Sequence, residues 1–203
     1  IIIEPLARYD ENGNMVPWLV DTIPTVANGG VSEDLTSITW KLKSGVKWSD
    51  GSALTSADVV FTANYCMDPT GGCQQLAKFA DIASVEALDD MTVKITFNKA
   101  KPFPYGPMVG SQTPVIQQAQ FKDCVGIKAP ECTAQNFGPI GTGPFVVTDF
   151  KANDVIALVA NPNYRDAAKP AFASVTLKGG GDAAAAARSV LETGEFDYGW
   201  NLQ

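Results

Sequence analysis

The stretch from Ile38 to Tyr65 constrains the fold most, because its hydrophobic period switches from two to that of a helix within one short run. Ile38-Thr39-Trp40-Lys41-Leu42-Lys43 alternates apolar and polar residues, the pattern of a half-buried strand. Gly45 follows, Val46-Lys47-Trp48 repeats the alternation, and Ser49-Asp50-Gly51 supplies a turn. Thr55-Ser56-Ala57-Asp58 is a helix start, with Thr55 at the cap and Asp58 at the positive end of the dipole. Ala57, Val60, Phe61 and Tyr65 then recur at helical spacing, which predicts a helix of about 10–12 residues ending at Cys66. A strand leading so directly into a helix points to a mixed α+β fold.

The rest of the chain keeps this character. Residues Ile82–Phe97 read as a hairpin turning at Asp89-Asp90, and a second helix is expected around Val115–Phe121. Phe145–Phe150 and Val155–Ala160 read as strands joined by Lys151-Ala152-Asn153-Asp154, and Ala173–Leu177 as a further strand. Asp182 is a good N-cap for a helix over Ala183–Leu191, stopped by Gly194. Trp18, Trp40, Trp48 and Phe61 are expected in the core. The composition shifts between Gly110 and Gln120, which suggests a boundary there.

Charge and residue usage exclude several functions. The 203 residues hold no histidine, which removes Ser-His-Asp and Cys-His catalysis and His-ligated zinc or haem. The net charge of −7 and the lack of a basic run exclude a nucleic-acid partner. With 45% apolar and 18% charged residues the chain can build a core, and no run is long enough to cross a bilayer. Ile1-Ile2-Ile3 and the aromatic stretch Phe196–Trp200 both look like internal cut points, so the expectation is a fragment of a larger protein.

Four cysteines fall in two close pairs, Cys66/Cys73 and Cys124/Cys132, each bracketing a turn-rich loop. Four cysteines allow three connectivities. Two local disulfides are the simplest reading, and they imply an oxidising compartment. Free core thiols are the alternative.

Several segments, in order, resemble one family. They are Glu4-Pro5-Leu6, the block Trp40–Gly51, Leu54–Phe61, Asp90–Ile95, Gly141-Thr142-Gly143-Pro144-Phe145, Asn161-Pro162-Asn163-Tyr164-Arg165 and Gly194-Glu195-Phe196-Asp197. Together they resemble the dipeptide/oligopeptide/nickel-type solute-binding proteins of ABC importers. The resemblance implies a type II periplasmic-binding-protein fold in which residues 1–116 form a smaller β-rich subdomain of the first lobe. Residues 117–203 would begin the larger α/β subdomain, with the second lobe absent. It also implies a monomeric, non-enzymatic, cofactor-free protein, periplasmic or held at the cell surface as a lipoprotein. Such a protein captures peptides between two closing lobes and delivers them to a membrane permease. The two cysteine loops depart from the better-known members.

By the same resemblance, Trp200 and Asn201 lie at the ligand cleft just past the Gly194–Asp197 motif. Gln112 and Thr113 sit at the subdomain junction, and Gln75 is similarly placed beyond the first cysteine loop. Side-chain amides can donate to or accept from a peptide backbone, which suits that role. Gly179-Gly180-Gly181 lacks the Lys and Ser/Thr of a phosphate loop and reads as a tight strand-to-helix turn. Alternatives are a nickel-chelate or sugar binder of the same family, or a small secreted hydrolase using carboxylates. For the hydrolase, the pairs Asp89/Asp90 and Asp81/Glu86, and the residues Asp50, Asp58 and Asp197, would be candidates.

Overall fold

The computed structural model describes residues 1–179 and 182–199. A short ribbon opens the chain: β1 (Ala7–Tyr9) pairs antiparallel with β2 (Met15–Pro17). Strand β3 (Ser37–Lys41) comes next, then helix α1 (Ser56–Met67) and the single turn α2 (Leu76–Phe79). Strands β4 (Ile82–Asp89) and β5 (Thr92–Phe97) form the expected hairpin. Short α3 (Gln118–Phe121), a 3₁₀ turn over Gly126–Glu131 and α4 (Thr133–Phe137) carry the second cysteine loop. Strands β6 (Phe145–Lys151), β7 (Val155–Ala160) and β8 (Ser174–Lys178) precede helix α5 (Ala183–Leu191). Among the described residues no helix is long and apolar enough to cross a membrane.

Two three-stranded antiparallel sheets result, ordered β3-β5-β4 and β6-β7-β8. In the first, Ile38 lies opposite Ile95 and Trp40 opposite Val93, so the period-2 pattern sends all four side chains to one buried face. Leu6, Leu19, Trp48, Val59, Met108 and Val115 complete that core. Strand β4 is bulged twice against β5, which lets its exposed end turn away at Asp90.

Val46–Trp48 lies on one side of a tight loop closed by a bridge between Lys47 and Ala53, with Gly51 at φ +89°. That left-handed φ suits glycine at the point of chain reversal. Two expectations need correction. The second helix is only the four residues Gln118–Phe121, because Gln117 is extended and Val115 and Ile116 run as straight chain tied to Glu4 and Thr62. Helix α1 buries Ser56, Val59, Thr62, Ala63 and Cys66, while Ala57 faces solvent and Phe61 and Tyr65 are half-buried flankers. Phe61 therefore borders the core instead of lying in it.

Both disulfides are local, Cys66–Cys73 and Cys124–Cys132, with Cα separations of 5.1 and 5.8 Å. Their loops touch: Gly126 lies against the Asp68 and Thr70 side chains, and Tyr65 meets Phe121 edge-on at 6.2 Å.

Candidate functional site

The sequence motifs that lie far apart in the chain meet at one polar junction. Glu4, only 4% exposed, points both carboxylate oxygens inward. Arg165 donates to them in a fork at 2.6 and 3.1 Å, Trp18 Nε1 donates at 2.7 Å, and Thr142 Oγ1 at 2.8 Å. The Arg165 guanidinium also lies over Trp18 and Tyr164 at 4.9 and 4.8 Å, and Arg8 stacks on the same indole at 3.4 Å. A buried carboxylate with four donors is fully satisfied, which burial of a charge requires.

The neighbouring motifs lock the same junction through backbone. Gly143 N donates to Ile2 O at 2.8 Å, and a Cβ on Gly141 would fall on the Ile2 carbonyl. Asn161 Nδ2 donates to Gly143 O at 2.7 Å, and Asn163 Nδ2 to Ser49 O at 3.0 Å. Glycines in Gly141–Phe145 and amides in Asn161–Arg165 thus fit the close approach of the opening segment and the Ser49–Gly51 turn.

A second polar group ties that turn to the chain after Val115. The Asp58 carboxylate accepts from Thr55 N at 3.0 Å, Trp48 Nε1 at 3.3 Å and Gln118 N at 2.9 Å. Asp50 accepts from Ser52 and, at 2.8 Å, from the buried Gln117 amide. Partial burial pushes the Asp50 carboxyl up, but the Ser52 and Gln117 hydrogen bonds outweigh it and hold it below the usual carboxylate range.

Most carboxylates of the hydrolase alternative are taken up in the same manner. Asp50 and Asp58 are bonded as above, Asp81 pairs with Lys101 at 2.6 Å, and Asp89 accepts from Met91 N at 2.8 Å. Glu86 accepts from Ser84 Oγ and faces Lys94 across the hairpin, while Asp197 is exposed.

Of the ligand candidates, Trp200 and Asn201 lie outside the described residues. Gln75 is half-buried at the start of α2. Gln112 is exposed, and its Oε1 accepts from Lys78 Nζ at 3.3 Å, so one lysine links α2, which Gln75 opens, to the Ser111–Thr113 loop. Thr113 is 5% exposed, and its hydroxyl donates to Val109 O at 3.0 Å. Sequence reasoning missed Lys78 and the Glu4–Arg165 pair. The only signal available for the pair was that both residues fall inside recurrent motifs.

The sequence matches the profile of bacterial extracellular solute-binding proteins, family 5 (middle region), over residues 14–203. The chain belongs to that family. A putative ABC transporter peptide-binding protein from Brucella ovis is 32% identical over 200 residues, covering 96% of this chain and 35% of the relative. The oligopeptide-binding protein AppA from Bacillus subtilis, solved in complex with a nonapeptide, superimposes with a TM-score of 0.81 at 27% identity. That match covers 96% of this chain and 37% of AppA. NikZ from Campylobacter jejuni, solved in complex with Ni(L-His), gives a TM-score of 0.82 at 24% identity, covering 97% and 37% of the two chains, and supports the fold alone. This family 5 chain therefore has a mixed α/β, type II periplasmic-binding-protein architecture, and it spans 35% of the length of the curated relative it matches. The matched relatives are binding proteins, not enzymes.

Proposed function

We propose that this chain is part of the first lobe of an extracytoplasmic protein that captures peptides and hands them to an ABC importer's membrane permease. The observation that carries the reading is 32% identity, across 96% of the chain, to a relative described as an ABC transporter peptide-binding protein. The working step is closure of two lobes on the ligand, with no bond made or broken. The protein acts as a monomer, without a cofactor, in the periplasm or as a surface lipoprotein. Two disulfides suit such an oxidising location.

Within the chain, residues 1–116 form the smaller β-rich subdomain and 117–203 the start of the larger α/β subdomain. Support comes from the main buried cluster, whose members all lie between Leu6 and Val115. Gln75, Gln112, Thr113, Trp200 and Asn201 contact the peptide. For Gln75 and Gln112 the support is their position on facing segments joined by Lys78. For Thr113, whose hydroxyl is turned inward, the contact is through its loop.

The test is isothermal calorimetry of the protein, joined to the remainder of its coding sequence, with a mixture of short peptides, comparing wild type with Q75A and Q112A. Weakening by about 2–10-fold for each variant, the loss of one or two side-chain hydrogen bonds, is expected. Unchanged affinity in both would remove these residues from the site.

A further inference from the structure

We propose that Asn12 is a site of spontaneous deamidation, and that the fold protects the only other Asn-Gly pair of the chain, Asn28-Gly29, from the same reaction. The sequence holds these two Asn-Gly pairs and no third. A glycine after asparagine leaves its backbone nitrogen sterically open to the asparagine side chain, because it has no Cβ.

The backbone settings of the two pairs match closely. Gly13 and Gly29 have φ of +79° and +72°. Each donates its N–H across a turn to the carbonyl three residues back, Gly13 to Asp10 and Gly29 to Val26, both at 3.1 Å. Opening that bond is a common requirement and does not distinguish them. Neither glycine has any atom within 4 Å of where a Cβ would stand.

The side chains differ. The Asn28 amide is held by three bonds: its Oδ1 accepts from Thr25 N at 2.8 Å and Gly30 N at 3.0 Å, and its Nδ2 donates to Ile23 O at 2.9 Å. Asn12 contributes only its backbone N–H, which donates to Asp10 Oδ1 at 2.9 Å, and its exposed side-chain amide has no partner among the described residues. The two N–H donors on Asn28 Oδ1 polarise its carbonyl carbon, which favours attack. They also pin that carbon in place, and the reaction requires the side chain to swing onto the next residue's nitrogen.

The chemistry needs only water. The Gly13 backbone nitrogen attacks Asn12 Cγ, forming an N–C bond. The Cγ–Nδ2 bond breaks, and the amide nitrogen leaves as ammonia with the proton that Gly13 N gives up. Water then opens either carbonyl of the cyclic imide, giving aspartate or isoaspartate. The product adds a negative charge beside Asp10 and Glu11. In the isoaspartate form it also lengthens the backbone of a ribbon in which Tyr9 pairs with Met15 and Arg8 stacks on Trp18.

The experiment is incubation of the folded protein in mildly alkaline buffer, with peptide mapping by mass spectrometry over time and a parallel incubation in concentrated urea. In the folded protein the Asn12 peptide should convert at least about tenfold faster than the Asn28 peptide, the factor expected for freeing a hydrogen-bonded amide. In urea the two rates should converge, because the difference lies in the fold. Equal or faster conversion of Asn28 in the folded protein overturns the proposal, and so does a gap that persists in urea.

Discussion

Replacing Glu4 by glutamine removes one charge and almost no volume, so it isolates the electrostatic part of the junction. The Glu4 side chain is 5% exposed and Arg165 15% exposed, which takes the pair out of the surface class, where ion pairs contribute little. All four contacts to Glu4 are donors: two from Arg165, one from Trp18 and one from Thr142. Whichever way the glutamine amide turns, its NH₂ faces donors that it cannot accept from, and Arg165 is left as a buried cation without its counterion. Breaking one side of such a pair costs about 3–5 kcal/mol, and the partial exposure of Arg165 places this case near about 3 kcal/mol. With a urea slope near 2 kcal/mol/M, the unfolding midpoint should fall by about 1.5 M. The double variant E4Q/R165M removes the orphaned cation and should recover part of the loss, giving a coupling energy of about 2 kcal/mol in a double-mutant cycle. Urea unfolding followed by tryptophan fluorescence reads both quantities, since Trp18 sits on the pair. A loss below about 1 kcal/mol with E4Q and R165M strictly additive would refute the reasoning.

Other consequences are as direct. Gly141→Ala places a methyl on the Ile2 carbonyl, a backbone atom that no rotamer change can move, and should cost about 1–3 kcal/mol with faster amide exchange at Gly143; unchanged exchange there would contradict the close approach. Each disulfide closes a short loop, of separation 7 or 8, so reduction should cost about 2–3 kcal/mol per bridge, and a thiol titration of the unreduced, denatured protein should find none free. Acid stability follows from carboxyls held below their usual range: Asp81 by its hydrogen bond from Lys101, Asp154 by that from Lys178, and Asp50 by Ser52 and Gln117 against the opposing pull of burial. A depressed folded pKa contributes stability that is full above the unfolded value and lost as pH falls through the folded one, so the melting temperature should be flat above about pH 5 and drop below about pH 4. With no histidine to titrate, a drop between about pH 5 and 7 would count against this assignment.

What the sequence made legible was local and periodic. Strand β3 and the β4–β5 hairpin show through alternating residues, β6 and β7 through short apolar runs on either side of a polar turn, and the Asp182 N-cap of α5 is made, with Ala185 N donating to its side chain at 2.8 Å. The ribbon of β1 and β2 escaped because three residues a side carry no period. The buried face of α1 escaped for a different reason. It is built from Ser56, Asp58 and Thr62 as much as from apolar residues, because Asp58 must meet Trp48 and Thr62 must meet Ile116. The Glu4–Arg165 pair spans 161 positions, and nothing in either neighbourhood announces the other. Resemblance supplied the motifs in which both lie; only the folded chain joins them.

The central claim is that this chain serves a protein that binds peptides and leaves them intact. The most direct measurement is calorimetric titration of the protein, joined to the remainder of its coding sequence, with a mixture of short peptides, followed by mass spectrometry of what is recovered. The account predicts saturable binding and peptides of unchanged mass. Absence of binding, or recovery of cleaved peptides, would contradict it.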